Sequence, residues 1–322
     1  MTLKIGFIGT GGIAKNHLSN LAKMEGVTVS SFCDIALERA EQAARQWPHA
    51  KAFTRIADML DDQKLDGVYI CIPPMAHGEA EESLTERGIP FLVEKPLGID
   101  QELPDRIVEL IKAKSLTTSV GFHWRYHDST RKARQLLAES EAGMALGYWM
   151  GGMPMVTWWR VQQGSGGQFV EQTTHITDLL RYLCGDVVEV YAAYGHRVMQ
   201  RKVEGTDVAD VGTVTMKLHN GMVATVSNTC LLPVGHHVGL DVYTDQGILE
   251  IRGGNLKEIR KDRVTEYKGS TNAYFAEDVA FLDAIRTGDA SGILSTYEDA
   301  IKTHKVTVAA NESAVTGHPV KL

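Results

Sequence analysis

"KIGFIGTGGIA", Lys4 to Ala14, decides the fold. A strand-like apolar run passes straight into Gly9-Thr10-Gly11-Gly12-Ile13-Ala14, a G-x-G-x-x-A loop that opens a helix. Glycine at the first two motif positions permits a tight turn and lets backbone N–H groups approach a pyrophosphate on the helix N-terminus. Ala14 at the third is small enough for close helix–strand packing. Similar loops occur as ordinary βα turns, so context decides. The second strand-like run, "VTVSSFCD", ends on Asp34, about 20 residues beyond the motif, where a ribose-binding carboxylate is expected. Together they predict a dinucleotide-binding unit. Asp34 would accept hydrogen bonds from the adenosine ribose and repel a 2′-phosphate, so NAD is favoured over NADP. The same side chain also reads as the cap of a helix beginning near Ala36, a role compatible with cofactor binding. Arg39 is the nearest cation that could rescue NADP binding, and it lies a turn into that helix.

Outward from the loop, Val/Ile/Phe/Cys-rich runs alternate with helical periodicity as far as Phe122. The strands read as "KIGFIG", "VTVSSFCD", a short "AF" at Ala52, "GVYICIP", "PFLVEK" and "TTSVGF". Helical patterns include "ALERAEQAARQW", "HGEAEESLTER" and "DQELPDRIVELIKAK". Strands buried on both faces lose polar/apolar alternation, and repeated βα units predict a parallel, doubly wound sheet of Rossmann type. Beyond Phe122 the texture changes to a tryptophan- and glycine-rich section, one strong helix, and long alternating segments with hairpin turns at "HNGM" and "DQGI". The expected class is therefore α/β, with an NAD-binding Rossmann domain over residues 1–121. Residues 122–322 are expected to form an α+β domain with a large, mostly antiparallel open sheet. Two helix-period stretches, "YFAEDVAFLDAIRTG" and "YEDAIKTHKVTVAANESAV", close the chain.

At 322 residues the chain exceeds the usual size of one hydrophobic core, which agrees with two domains. A net charge of -7 and a pI near 6.0 argue against nucleic-acid or anionic-membrane partners, which would need a basic face. Cys33, Cys71, Cys184 and Cys230 form no C-x-x-C spacing, so reduced thiols are expected. His236-His237 lack a third ligand at helical or hairpin spacing, and no metal is expected. The apolar run at the N-terminus is too short for a signal-peptide core or a membrane span, and a cytoplasmic location is expected.

A second stretch raises a chemical question. "PFLVEKPLG", Pro90 to Gly98, ends a buried strand on a carboxylate and an ammonium, with a proline at once behind them. Ligands of open parallel sheets bind beyond the carboxyl ends of the strands, where Glu94 and Lys95 stand. Pro96 keeps Lys95 out of helical geometry. The alternative is a salt bridge at the sheet rim. In "EQTTHITDLLRYL", Ile176, Leu179, Leu180 and Leu183 form the apolar stripe of a helix, while Glu171, His175, Asp178 and Tyr182 share a neighbouring stripe. On its own that polar stripe reads as a solvated face, capped by Thr173 or Thr174.

The glycine loop, "CIPPMAHGEA", the "EKP" tripeptide and "GGQFVEQTTHITDLLRYLCG", with "STYEDAIKTHKVTVAANESA" near the end, resemble the glucose–fructose oxidoreductase/inositol dehydrogenase/MocA family. The resemblance covers essentially the whole chain. It implies a Rossmann domain followed by an α/β domain with a large open sheet, in an oligomer often assembled through that sheet, here a homodimer or homotetramer. It aligns His175 with the family's substrate-contacting histidine. Glu171 stands where the family usually has Asp, and Thr173 where it commonly has Gly; both departures bear on the substrate rather than the reaction class. The cofactor set becomes Gly9, Gly11, Gly12, Ile13, Asp34, Pro73, His77, Glu94 and Lys95, with His77 read as structural or as a contact on the nicotinamide side. Trp124, Arg125 and Tyr126, with Trp158, Trp159 and Arg160, are candidates to wall a sugar site alongside Glu171 and His175, although aromatics in such numbers also build cores.

The leading expectation is an NAD-dependent dehydrogenase acting on a secondary alcohol of a sugar, polyol or related polyhydroxylated small molecule. His175 is the candidate base, since imidazole ordinarily titrates at about 6.5. Lys95 would stabilise charge on the reacting oxygen, and Glu171 would orient a hydroxyl or tune His175. The alternatives are an NAD-retaining glycosidase of the same family and a noncatalytic nucleotide-sensing regulator.

Overall fold

The computed structural model describes residues 2–322, which divide into two compact units. The first holds 2–98, 102–121 and 274–299. Its six strands are β1 (Leu3–Ile8), β2 (Val27–Cys33), β3 (Lys51–Phe53), β4 (Gly67–Ile70), β5 (Phe91–Val93) and β6 (Thr118–Val120), in the order β3-β2-β1-β4-β5-β6, all parallel. Helices α1 (Gly12–Leu21), α2 (Leu37–Ala44), α3 (Ile56–Asp62), α4 (Glu79–Arg87) and α5 (Glu102–Lys114) make the crossovers. The order reverses at β1, so β1 and β4 diverge at their carboxyl ends, the usual ligand position in this sheet type. Ile5, Phe7, Val29, Phe32, Tyr69 and Leu92 are fully buried, which is why the strands read as continuous apolar runs.

Tyr274–Asp299 belongs with this first unit, which corrects the expectation that residues 122–322 form one domain. The physical reason is burial: Phe281, Leu282 and Ala284 from the helix Ala273–Thr287 share a core cluster with Ile5, Phe7 and Tyr69.

The second unit is built on a sheet of nine strands. Its elements are α6 (Asp128–Leu137), β7 (Ala142–Met150), α7 (Gln162–Ser165), α8 (Gln168–Glu171), α9 (Thr174–Cys184), β8 (Val187–Gly195), α10 (Met199–Lys202), β9 (Val211–Leu218), β10 (Val223–Thr229), β11 (Val238–Thr244), β12 (Gly247–Arg252), β13 (Asn255–Ile259) and β14 (Val264–Lys268). The chain continues through α11, the helix Ala273–Thr287 already met, then α12 (Tyr297–Thr316) and β15 (Val320–Lys321). Strand order is β14-β13-β12-β11-β7-β10-β9-β8-β15, antiparallel except for the parallel β7/β10 pair. The "HNGM" and "DQGI" turns join β9 to β10 and β11 to β12. Buried Val190, Val214, Met216, Val226, Leu240 and Val242 form one face of the core, with Ile176, Leu179 and Leu180 of α9 in the same cluster. Gly147 in β7 lets α9 come this close, because a Cβ there would lie 2.7 Å from the Ile176 side chain.

Candidate functional site

In the first unit the glycine loop takes the shape its residues dictate. Gly9 has φ +86°, and a Cβ there would sit 2.2 Å from the Cys71 carbonyl oxygen. Gly11 and Gly12 are exposed, and a Cβ at either would meet nothing within 4 Å. No side chain caps α1 and its first turn carries no acidic residue. The first turn thus lies uncapped, with no side chain crowding Gly11 or Gly12, at the positive end of the helix field, a fitting cradle for a pyrophosphate.

Asp34, at the end of β2, is buried and heavily engaged. Its Oδ2 accepts from the Thr10 N–H at 3.1 Å and the Thr10 hydroxyl at 2.8 Å. Its Oδ1 accepts from the Ala36 N–H at 3.0 Å and from Arg39 Nε and Nη2 at 3.0 and 2.6 Å. Burial alone would raise its pKa; the Ala36 N–H, Arg39 and Thr10 outweigh that and hold it below the ordinary carboxylate range. The helix-capping role and a poised carboxylate thus coincide on one side chain. Thr10, an unspecified position of the glycine motif, escaped the sequence reading.

Pro73 and His77 flank a short turn after β4, with Pro73 partly exposed. His77 turns inward: its Nδ1 pairs with Glu81 Oε1, while Glu81 Oε2 accepts from the Gly78 N–H at 2.8 Å and ties down the start of α4. Burial opposes ionisation of Glu81, but His77 and the Gly78 N–H hold its pKa down. Lys95 is partly exposed past the end of β5, and the Lys95–Pro96 peptide is cis. Glu94, beside it, is 3% exposed and points into the protein, where Oε1 lies 3.1 Å from His17 Nε2 and Oε2 accepts from the Lys95 N–H at 3.2 Å. The buried partner His17 carried no signal in the sequence reading.

In the second unit α8 runs into α9 through helical Gln172 and Thr173, and Thr173 makes no side-chain cap. The expected cap is therefore absent, because the chain does not enter α9 from an extended segment. His175 is 6% exposed and ringed by aromatic side chains. The His123 ring lies 4.9 Å away at 70°, Phe122 6.1 Å away edge-on, and Trp149 of β7 5.9 Å away and nearly parallel. His127 adds a third imidazole 6.2 Å from His123; burial lowers its pKa against the opposing pull of Asp128. His123, Phe122 and Trp149 are the neighbours that sequence reasoning missed, although two of them directly precede the singled-out Trp124.

Glu171 closes α8 with Oε2 2.6 Å from the Trp159 indole nitrogen, which donates to it. Trp159 is buried, whereas Trp158 and Arg160 are partly exposed. Trp124 lies in the core and Tyr126 is partly exposed. Arg125 is 3% exposed and grips Asp178 in a fork, Nε to Oδ2 at 2.8 Å and Nη2 to Oδ1 at 2.5 Å. Thr303 donates to Asp178 Oδ1 at 2.8 Å and accepts from Arg181 at 2.7 Å. Asp178 therefore does not lie on a solvated stripe, and Arg125 braces α9.

A parallel sheet with a glycine-loop helix and an acidic residue ending its second strand, followed in the chain by a mostly antiparallel sheet and a helix bearing a buried histidine, defines a dinucleotide-dependent oxidoreductase architecture. Residues 3–122 match the family described as "Oxidoreductase family, NAD-binding Rossmann fold", and residues 130–250 match the GFO/IDH/MocA C-terminal domain. The chain belongs to the GFO/IDH/MocA family of NAD-binding oxidoreductases. Curated relatives include an oxidoreductase, YrbE, of Bacillus subtilis (strain 168), 24% identical over 98% of this chain and 96% of its own. The scyllo-inositol 2-dehydrogenase (NAD(+)) of the same organism is 26% identical over 98% of this chain and 95% of its own. Among solved structures, a myo-inositol dehydrogenase from Corynebacterium glutamicum ATCC 13032 superposes with a TM-score of 0.83 at 25% identity, covering 100% of this chain and 99% of that one. Among the described residues, no helix is long and apolar enough to cross a membrane.

Proposed function

We propose that the protein is an NAD-dependent dehydrogenase acting on a secondary alcohol of a cyclic polyol, sugar or related polyhydroxylated molecule. The observation that carries this reading is the open, uncapped first turn of α1 beside the engaged Asp34 carboxylate. That pair suits a pyrophosphate and a ribose at one sheet edge. When bound, the nicotinamide supplies the hydride acceptor. Gly9, Gly11, Gly12 and Ile13 would hold the pyrophosphate at the loop, with Pro73 and Lys95 at the neighbouring strand ends.

In this reading Lys95 donates a hydrogen bond to the reacting oxygen and stabilises its developing negative charge. His175 takes the hydroxyl proton on an imidazole nitrogen as the alcohol carbon becomes a carbonyl. Its aromatic surroundings favour proton transfer to a defined partner over exchange with bulk water. Glu171, whose Oε2 accepts from the Trp159 indole, orients a substrate hydroxyl. The inositol dehydrogenases among the relatives support a polyol as the first substrate to try.

The test mixes purified protein with NAD or NADP and offers inositols, other polyols, aldoses and chromogenic glycosides, recording nicotinamide reduction and aglycone release. Reduction with a free polyol or sugar is the expected outcome. Aglycone release without net reduction would replace it with the glycosidase, and silence in both channels despite NAD binding would favour a nucleotide-sensing role.

A further inference from the structure

Beside Lys95 the first unit buries three ionisable groups to which the reaction above gives no part. His17, on α1, is 0% exposed, as is Asp278 on α11, and Glu94 is 3% exposed. His17 Nδ1 lies 2.6 Å from Asp278 Oδ1 and Nε2 lies 3.1 Å from Glu94 Oε1. An imidazole whose two nitrogens both face carboxylates satisfies both by carrying two N–H groups, which makes it a cation. Asn20 donates to the other Asp278 oxygen at 2.8 Å. The remaining Glu94 oxygen accepts the Lys95 N–H, and the backbone at Gly121 walls the carboxylate in, since a Cβ there would lie 2.7 Å from it. Tyr69 packs 5.1 Å from the His17 ring and Tyr274 packs edge-on at 6.1 Å.

Burying such a group is costly, and well-packed apolar side chains would usually serve stability as well. What the charges add is geometry. Helix α1 starts at the glycine loop, and Glu94 directly follows β5. One imidazolium thus ties the helix that receives the pyrophosphate to the strand end that carries the reactive ammonium.

We propose that His17 is a positioning residue: through Glu94 it fixes the backbone of Lys95 relative to the glycine-loop helix. This inference rests on the dehydrogenase reading, which gives Lys95 its task. Lys95 acts on the reacting oxygen, so an error in its placement is felt in turnover more than in NAD binding.

A double-mutant cycle tests this. His17→Gln keeps an amide donor without the charge, and it should lower kcat by about tenfold or more while the Kd for NAD, read by fluorescence titration, changes less than about threefold. Added to Glu94→Gln, the same substitution should cost no further kcat. Asp278→Asn, which leaves the His17–Glu94 contact, should lower the melting temperature with kcat within about threefold of the parent. Equal losses of kcat from His17→Gln in both backgrounds, or a loss from Asp278→Asn matching that from His17→Gln, would overturn the proposal as a purely structural effect. If His17→Gln does not fold, Glu94→Gln decides: it should fold with depressed kcat, and parental kcat would refute the claim. Amide hydrogen exchange over residues 91–98 gives a readout independent of activity. If the parent reduces no nicotinamide with any substrate, the dehydrogenase reading fails, and exchange alone judges the positioning. Faster exchange there in His17→Gln is expected, and unchanged protection would overturn it.

Discussion

Asp34 and Lys95 are the residues whose positions were most legible, because each stands where a strand leaves a parallel sheet. For Lys95 the expectation is sharp: Lys95→Ala should lower kcat by about 10²- to 10³-fold, as loss of one preorganised donor commonly does, while NAD binding persists. Initial rates and a binding titration check it, and normal turnover would remove the catalytic role. For Asp34 the structure adds Arg39, whose guanidinium lies on the carboxylate yet is 56% exposed at its side chain. Asp34→Ala should release Arg39 for a 2′-phosphate and raise the ratio of kcat/KM for NADP over NAD by about tenfold. An unchanged ratio would place cofactor choice elsewhere. His17 is the residue that the sequence hid, for a lone histidine on a helix announces neither of its distant carboxylates. Burial by itself would depress its pKa, but Asp278 first and Glu94 second raise it to about 10, with Tyr69, Tyr274 and Cys71 as the other ionisable groups nearby. A folded pKa above the unfolded value of about 6.5 gives stability that is fully present below about 6.5 and is lost as pH rises through about 10. Urea midpoints from pH 6 to 10 should therefore fall with a slope that His17→Gln lacks, and parallel curves would contradict the charged imidazole.

At the scale of elements, periodicity located α9 and its apolar stripe, and Ile176, Leu179 and Leu180 are indeed fully buried. What periodicity misjudged was the second stripe. A polar residue at helical spacing reads as solvated unless its partner is known, and the partner of Asp178 is Arg125, far back in the chain. Similarly, Thr173 resembles a cap in sequence, yet α8 feeds α9 in helical conformation and leaves no cap position. The buried fork makes a quantitative expectation possible. Asp178→Ala would remove the carboxylate that the buried Arg125 guanidinium grips in a fork, at a cost of about 3–5 kcal/mol. Urea unfolding of the variant measures this directly, and a loss below about 1 kcal/mol, the level of an exposed pair, would show that water reaches the guanidinium. The aromatic ring around His175 follows the same logic, since Trp149 comes from β7 and Phe122 from the segment after β6. Only the folded register brings them together.

At the scale of the whole molecule, alternating βα units followed by antiparallel patterning made both sheets legible, because each sheet type imposes its own burial period. The late return of the chain to the first unit was not legible: the helical period of α11 says that one face is buried but not which sheet buries it. Phe281, Leu282 and Ala284 settle the matter by joining the core around Ile5, Phe7 and Tyr69. The contiguous segment 1–121 is therefore an incomplete folding unit. Expressed alone, it would expose the apolar face that α11 covers and leave His17 Nδ1 without its Asp278 acceptor, combining a lost packing surface with a buried donor left unsatisfied. A chain joining residues 1–121 to 274–299 through a flexible glycine/serine linker restores both. The second chain should show a cooperative thermal transition by circular dichroism and bind NAD, whereas the first should melt without cooperativity or aggregate. Cooperative folding of 1–121 alone would mean that the parallel sheet carries enough core without α11, and would make the return of the chain an accessory of the fold instead of part of its core.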